Sequence, residues 1–533
     1  MPRLKTETMD RLFGFIVLAV TLVSCSKGGF GPSSGFPDDG QPAHGMIVLG
    51  KKLENPYKTE NISAAIASVY PARDRVEVKP THLYVRFLPV DQSDFDLISD
   101  LDLSDYPLDY EILKDGDYYH DPQIDDEKVT WQYAVVPHDY VFPDIYYEVI
   151  DECFITENDA PERSADGIDW EAVEREAYRL TGNADMLEAA GARGNKVHPS
   201  GRITIVDEKV NGGKPFGLAG VRVRCNTFVK YSHAYTDRDG YYTIPKKYSA
   251  KVRYRLIYKN EKGFAIGFNK LLVPASTSAL GKASPSGLDY TVTKNSGRTM
   301  FSRSVVNNAA YDYISRCSAD DMGITPPPSD LRIWLFHSLD ASSAVMIHHG
   351  AFVEGKDIKK FLGVFSSVIA FFSPDITLGT KNLSDYSSIY SAVCHELAHA
   401  SHFAQVGKGY WDKYIMYIMK SYVTSGGMTY GTGSEPDAGY CAVGEMWAYY
   451  MESIMYKERY GGNVPSFGSS NWFSPQVFRV LDERGVTRSE ILGAMQADVT
   501  DVDLLKSRLV SMYPDRGMVI NQAFNRYRCG ALE

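Results

Sequence analysis

Hydrophobic and polar positions change their rhythm several times along the chain. The apolar run LFGFIVLAVTL (residues 12–22) follows Lys5 and Arg11. It is about half as long as the roughly 20 residues that cross a bilayer as a helix, so residues 1–24 read as a signal peptide. Residues 25–44 are rich in Gly, Pro and Ser and read as a flexible tether. Beyond it, THLYVRFLPV and VTWQYAVVP alternate as strands do, and DWEAVEREAYRL has a helical period with a cap expected at Asp166 or Asp169. Residues 45–198 are therefore expected to form an α+β domain, to which the sequence gives no job. Its acidic, tyrosine-rich stretch YPLDYEILKDGDYYHDPQIDDEK reads as a solvated loop face in preference to a binding surface.

From residue 199 to 297 the runs GRITIVD, LAGVRVRC, AYTDRDGYYTIP and KVRYRLIYK are short, β-rich and separated by turn residues, the spacing of a β-sandwich. Asp239-Gly240 predicts a tight hairpin with a type I′ turn. In residues 298–533 the helical period dominates. SDYSSIYSAVCHELAHASHFA carries an apolar stripe at Ile389, Val393 and Leu397, with Ser384 as its expected N-cap. AGYCAVGEMWAYYMESIMY (residues 438–456) predicts a second helix, and the tail from QVFRVLDERG onward predicts helices that buttress the unit. FSPDITLG, ahead of the first of these helices, reads equally as an edge strand or a core strand. The fold class expected from all this is multidomain α+β: an N-terminal α+β domain, a β-sandwich in the middle and a mainly helical C-terminal domain.

Length and charge narrow the picture. A chain of 533 residues exceeds what one core organises, which is roughly 250–300 residues, so two or three domains are expected. The net charge of −11 and the lack of a dense basic run argue against nucleic acid as a partner.

The chemistry concentrates in AVCHELAHASHF (residues 392–403). At about 100° per residue, His395 and His399 fall within about 40° of each other on a helix, away from the apolar stripe, so both imidazoles point one way. Two histidines one turn apart can share one ion at about 2.0–2.1 Å, and the glutamate between them, Glu396, can reach a water there without being a ligand. His402 shares that face but stands roughly 10 Å along the axis from His395, too far to share the ion, and is expected in the surroundings of the site. A third ligand must come from elsewhere. Six cysteines besides Cys25 (Cys153, Cys225, Cys317, Cys394, Cys441, Cys529) lack metal-binding spacing. They read as scattered buried thiols, or as disulfides in an oxidising compartment.

Three resemblances add to this reading. Leu22-Val23-Ser24-Cys25 resembles a bacterial lipobox, which implies cleavage before Cys25, acylation of that cysteine and a place in the bacterial cell envelope, as an outer-membrane lipoprotein facing the periplasm or the exterior. Gly220-Val221-Arg222-Val223 followed by Thr236-Asp237-Arg238-Asp239-Gly240-Tyr241-Tyr242 resembles the carboxypeptidase regulatory-like or transthyretin-like domain, which implies a spacer or docking module without catalysis. Asp237 and Asp239 read there as turn formers in preference to calcium ligands.

His395-Glu396-Leu397-Ala398-His399 resembles the zincin metallopeptidases, implying a zinc cofactor, His395 and His399 as ligands and Glu396 as general base. The metzincin pattern does not continue, since His402 stands at its glycine and Gln405 at its third histidine. Glu445-Met446-Trp447-Ala448-Tyr449 resembles the glutamate helix of gluzincins, which implies Glu445 as third ligand, with Glu452 and then Asp437 as the other choices. Gly444 and Ala448 surround that carboxylate with small residues that let a helix approach. Oxyanion donors remain open among His402, Tyr430 and Tyr440. The implied function is a lipid-anchored zinc peptidase acting on a peptide or protein. A surface binding or adhesion lipoprotein with a degenerate zincin domain is the alternative.

Overall fold

Strands form where alternation is clean, and the computed structural model shows how they are assembled. It describes residues 45–72, 76–124, 129–155, 167–187, 196–267, 275–318, 322–337, 339–351, 374–425, 428–462 and 471–527. The expected signal peptide, Cys25, the tether, Asp166 and Cys529 lie outside the described residues. The chain is mixed α and β, with 11 α-helices and several sheets among the described residues.

The N-terminal part runs β1 (Val48–Lys52), α1 (Thr59–Val69), β2 (His82–Phe87), α2 (Gln92–Ile98), β3 (Tyr110–Lys114), β4 (Gln132–Pro137), β5 (Tyr147–Cys153) and α3 (Trp170–Leu180). β2 is the central strand of an antiparallel sheet ordered β4-β2-β5, while β1 and β3 pair separately. A central strand is covered on both faces. Leu83, Val85 and Phe87 enter one core with Ile98, Ala134 and Val136, and Tyr84 enters another with Tyr106, Trp131 and Tyr133. Asp169 caps α3 by accepting from the Glu171 and Ala172 amides.

Two sheets make up the region where the sequence predicts a β-sandwich. β6 (Ser200–Ile205), β7 (Phe216–Gly217), β10 (Tyr241–Thr243) and β14 (Tyr290–Val292) form one. In the other, β8 (Val221–Thr227) lies between β9 (Lys230–Tyr235) and β11 (Val252–Asn260), and β11 also pairs with β12 (Ala265–Gly267) and β13 (Thr277–Ala283). The segment around Asp239-Gly240 is not the predicted hairpin. β10 pairs with β6 and not with β9, so this turn carries the chain from one sheet to the other. Gly240 alone is left-handed there (φ 88°), whereas a type I′ turn needs two such residues. The Asp237 carboxylate shapes the corner by accepting from the Asp239 and Tyr241 amides, each at 2.9 Å. A Cβ at Gly240 would stand 2.0 Å from the Ile203 carbonyl oxygen, so the corner also needs glycine for space.

The C-terminal part comprises α4 (Arg298–Cys317), β15 (Arg332–Phe336), β16 (Ser343–Ala344), β17 (Ile376–Gly379), α5 (Tyr386–Val406), α6 (Lys408–Thr424), α7 (Ala438–Tyr460), α8 (Gln476–Glu483), α9 (Arg488–Ala494), α10 (Val502–Met512) and α11 (Gly517–Arg526). β12 pairs in parallel with β15, and β15 with β17, so the second sandwich sheet continues beneath the C-terminal helices. One hydrophobic core follows it, from Ile203 to Phe524. Within FSPDITLG, β17 is internal, flanked by β15 and β16, and the two-residue β16 is the outermost described strand.

Within residues 106–124, the described part of the acidic tyrosine-rich stretch, two acids depart from the expected solvated face. Asp115 pairs with Arg253 at 2.6 Å, and Asp117 with Arg303 of α4 at 3.0 Å, both side chains 4% exposed. Tyr106 is buried under Arg255, whose guanidinium lies 5.0 Å from its ring. Asp117 thus faces an arginine of α4 instead of water, and the half-buried Asp115 an arginine of β11, which a reading of one segment alone cannot anticipate.

A second buried joint links α3 to β9. Glu174 lies 2.6 Å from Lys196 and 3.3 Å from Lys230, and accepts from the Tyr57 hydroxyl at 2.8 Å. Burial works to raise its carboxyl, but the two lysine charges and the bonds from Lys196 and Tyr57 pull it down to about 2. A depressed carboxyl contributes stability above its unfolded value and loses it as pH falls toward the folded value. Between about pH 5 and about pH 3, the wild type should therefore lose about 2 kcal/mol more stability than Glu174→Gln. Urea unfolding at the two pH values measures the difference, and parallel losses would remove Glu174 from the account.

Candidate metal centre

α5 runs through the middle of the C-terminal unit. Nearly every one of its residues is buried, so the apolar stripe at Ile389, Val393 and Leu397 is only one of its packed faces. Its N-cap is Asp385, one residue beyond the expected Ser384, because the Asp385 carboxylate accepts from the Ser388 amide at 2.8 Å. Against it lies α7, four residues longer than the sequence predicts. A Cβ on Gly444 would already touch the Tyr414 ring at 3.4 Å and stand 3.7 Å from His402 Nδ1, so small residues here permit the close approach of the helices.

That approach brings His395, His399 and Glu445 together, with one ligand atom from each lying within 4.8 Å of the others. His395 Nε2 is 3.6 Å from Glu445 Oε2, and His399 Nε2 is 3.5 Å from Glu445 Oε1. Bonds of about 2.0–2.2 Å at tetrahedral angles separate two ligands by about 3.3–3.6 Å. The spacings thus fit one small divalent ion. His395 Nε2 is fully buried and has no hydrogen-bond partner, and two imidazoles with a carboxylate form a donor set that zinc accepts.

The other ring nitrogen of His395 is engaged. Nδ1 lies 3.1 Å from Glu452 Oε2, so its proton goes to that carboxylate and Nε2 is left to face the cluster. Ser391, one turn earlier on α5, donates to the other oxygen of Glu452. Glu452, the second choice of ligand, therefore stands behind His395. Asp437 is exposed at the start of α7 and outside the cluster.

Charge in the cluster is tightly balanced. Burial works to lower the His395 imidazole, but contacts with Glu445 and Glu452 and the charge of Glu396 outweigh it, raising it to about 9. His399 is held below the usual histidine value by burial, with Glu445 opposing. Burial would raise the Glu445 carboxyl, yet the charge of His399 and the contacts with both histidines pull it well below the carboxylate range. Three carboxylates acting on one imidazole favour positive charge there, and that nitrogen must shed its proton before it can hold a cation.

Glu396 is buried beside the ligands but outside the three-residue cluster. His402 also lies outside it, packed against the rings of Tyr410 and Trp411 at 5.2 and 5.7 Å, with neither ring nitrogen hydrogen-bonded. Burial pushes it down to about 3, so it is neutral. The Tyr430 hydroxyl meets that of Tyr449 at 3.1 Å, and the Tyr449 ring packs 4.7 Å from His395. Tyr440 packs on Tyr410 instead, their rings tilted by 58°. Gln405 accepts from Thr325 at 2.6 Å, away from the ligands.

Sequence reasoning missed three contributors. Ser391 sits one turn before His395, and its place on the histidine face was a usable signal. Tyr414 donates to Glu445 Oε1 at 2.6 Å. Trp411 packs on His399 and donates to the Ala344 carbonyl of β16 at 2.9 Å. Nothing in their local pattern on α6 marks the last two.

No family model matches the chain, and no curated protein matches it. Among solved structures, the crystal structure of an (S)-allantoin synthase is similar over 23% of this chain and 48% of that one, with 12% identity and a TM-score of 0.12. A likeness that slight carries no argument about fold or chemistry.

The geometry separates two carboxylates by their roles. Glu445→Ala should abolish stoichiometric retention of a divalent ion, whereas Glu452→Ala should keep the ion with affinity lowered about 10- to 100-fold. Native mass spectrometry after desalting and competition with a chromophoric chelator read this, with circular dichroism to check the fold. Loss of the ion in Glu452→Ala and its retention in Glu445→Ala would reverse the assignment.

Proposed function

We propose that this chain is a zinc-dependent peptidase of gluzincin type, built on a lipid-anchored protein of the bacterial cell envelope. The observation that carries the reading is the buried cluster of His395, His399 and Glu445, whose spacings match three ligands of one ion. In this reading the C-terminal part is the zincin-like domain, the sandwich a carboxypeptidase regulatory-like domain and the N-terminal α+β domain an accessory.

Zinc bound there would supply a Lewis acid that makes water acidic near neutral pH and polarises a peptide carbonyl. The protein's own groups do the rest. Glu396 takes a proton from the attacking water and returns it to the leaving amine. Glu452 fixes the His395 ring, and Tyr449, whose ring packs on His395 and whose hydroxyl meets that of Tyr430, links Tyr430 to the site as a donor for an oxyanion.

One observation favours the alternative, a binding or adhesion lipoprotein that does not hydrolyse. His395 and His399 are each 1% exposed, Glu445 0% and Glu396 2%, whereas a catalytic zinc needs an open position and a path to it. A cleavage screen with zinc-loaded and chelator-stripped protein separates the two readings. Under the peptidase reading, Glu396→Gln should bind one zinc per chain like the wild type and lose turnover by several orders of magnitude. Zinc content by mass spectrometry and hydrolysis of any accepted peptide decide it, and retained turnover would show that Glu396 has another role.

The anchor has its own test. Cells fed a fatty-acid analogue should label the wild type and not Cys25→Ser, and equal labelling of the two would end the lipoprotein assignment.

A further inference from the structure

Glu445 is held by more than its two histidines. Tyr414, on α6, donates its hydroxyl to Glu445 Oε1 at 2.6 Å, the length of a charge-assisted bond. Its ring is buried, 5.6 Å from the His399 ring and 4.7 Å from that of Trp411, so the hydroxyl has little freedom to turn away. The bond engages one carboxylate oxygen. That oxygen also stands 3.5 Å from His399 Nε2, and the other, Oε2, stands 3.6 Å from His395 Nε2, so the rotation of the carboxyl group sets both contacts at once.

We propose that Tyr414 is a positioning residue that fixes the rotation of the Glu445 carboxyl group, and with it which oxygen faces His395 and which faces His399. The inference rests on the reading of the cluster as a metal centre and goes a step beyond it. Without that hydroxyl the carboxyl group could turn and chelate an ion with both oxygens, which would raise the number of protein donors. Tyr414 would thus tune the coordination at this site without touching the ion.

Cobalt(II) loading tests this without reference to turnover, because the visible bands of cobalt are intense when it is four-coordinate and weaken as the coordination number rises. Wild type, Tyr414→Phe and Tyr417→Phe are loaded with cobalt and, separately, titrated with zinc against a chelator, with thermal melts to monitor the fold. Tyr414→Phe keeps the ring packing and removes only the hydroxyl. It should take up cobalt with a weaker, shifted visible spectrum and bind zinc about 10- to 100-fold less tightly. Tyr417, on the same helix, donates to the Tyr430 carbonyl at 2.8 Å and not to Glu445, so Tyr417→Phe should match the wild type. Unchanged spectrum and affinity in Tyr414→Phe, or equal changes in Tyr417→Phe, would overturn the assignment. A wild type that takes up no cobalt would overturn the metal-centre reading itself, a distinct result from cobalt uptake that is indifferent to Tyr414.

Discussion

The contact between α5 and α7 buries an ionised carboxylate, Glu445, with no exposure to solvent. Removing such a group from water costs several kcal/mol unless partners replace the lost hydration. Here the partners are His395 and His399 from one helix and Tyr414 from another, so three helices meet to compensate the charge. The far end of α7 is clamped as well. Arg459 lies 3.1 Å from Asp207 of the sandwich region and sits over the rings of Tyr386 and Tyr390 at 4.8 and 5.0 Å. That arginine fixes the start of α5 and the end of α7 to the same sandwich edge.

Because of that clamp and the strand pairing of β12 with β15, the sandwich works as foundation for the helices above it. A spacer could be removed without disturbing them, but this sheet runs beneath both parts and one core joins them. The N-terminal part is fixed by different physics. Asp117 meets the buried Arg303, Glu174 meets Lys230 and Lys196, and Asp115 meets the half-buried Arg253. Breaking one partner of a buried pair such as Asp117–Arg303 or Glu174–Lys230 typically costs about 3–5 kcal/mol, because the other charge is then stranded.

What could be read from the sequence was what local periodicity encodes. The strands β2 and β4, the capped helix α3 and the two helices carrying His395, His399 and Glu445 all follow from spacing and caps in a single stretch of chain. The expectations that failed depended on partners remote in sequence. Asp239-Gly240 looks like a hairpin because the corner and the hairpin use the same residues, and only the pairing of β10 with β6 tells them apart. Asp115 and Asp117 look solvated until Arg253 and Arg303, more than 100 positions away, are placed against them. Tyr414 lies in an ordinary amphipathic helix, and its role exists only once α6 has folded back onto α7.

The periods of the two central helices explain why these residues and not their neighbours form the site. On α5, Ser391, His395 and His399 recur every four residues, and on α7, Glu445 and Glu452 stand seven apart, so both sets stay on the facing sides of a helix pair. Glu445 can then meet both imidazoles at 3.5–3.6 Å while Glu452, two turns on, reaches His395 from behind and Ser391 beyond it. Sliding α7 by one residue would rotate its facing side by about 100° and carry both carboxylates away together. The polar contacts and the packing therefore favour the same register of the helix pair. Glu452, although outside the three-residue cluster, belongs to that register through His395 and Ser391.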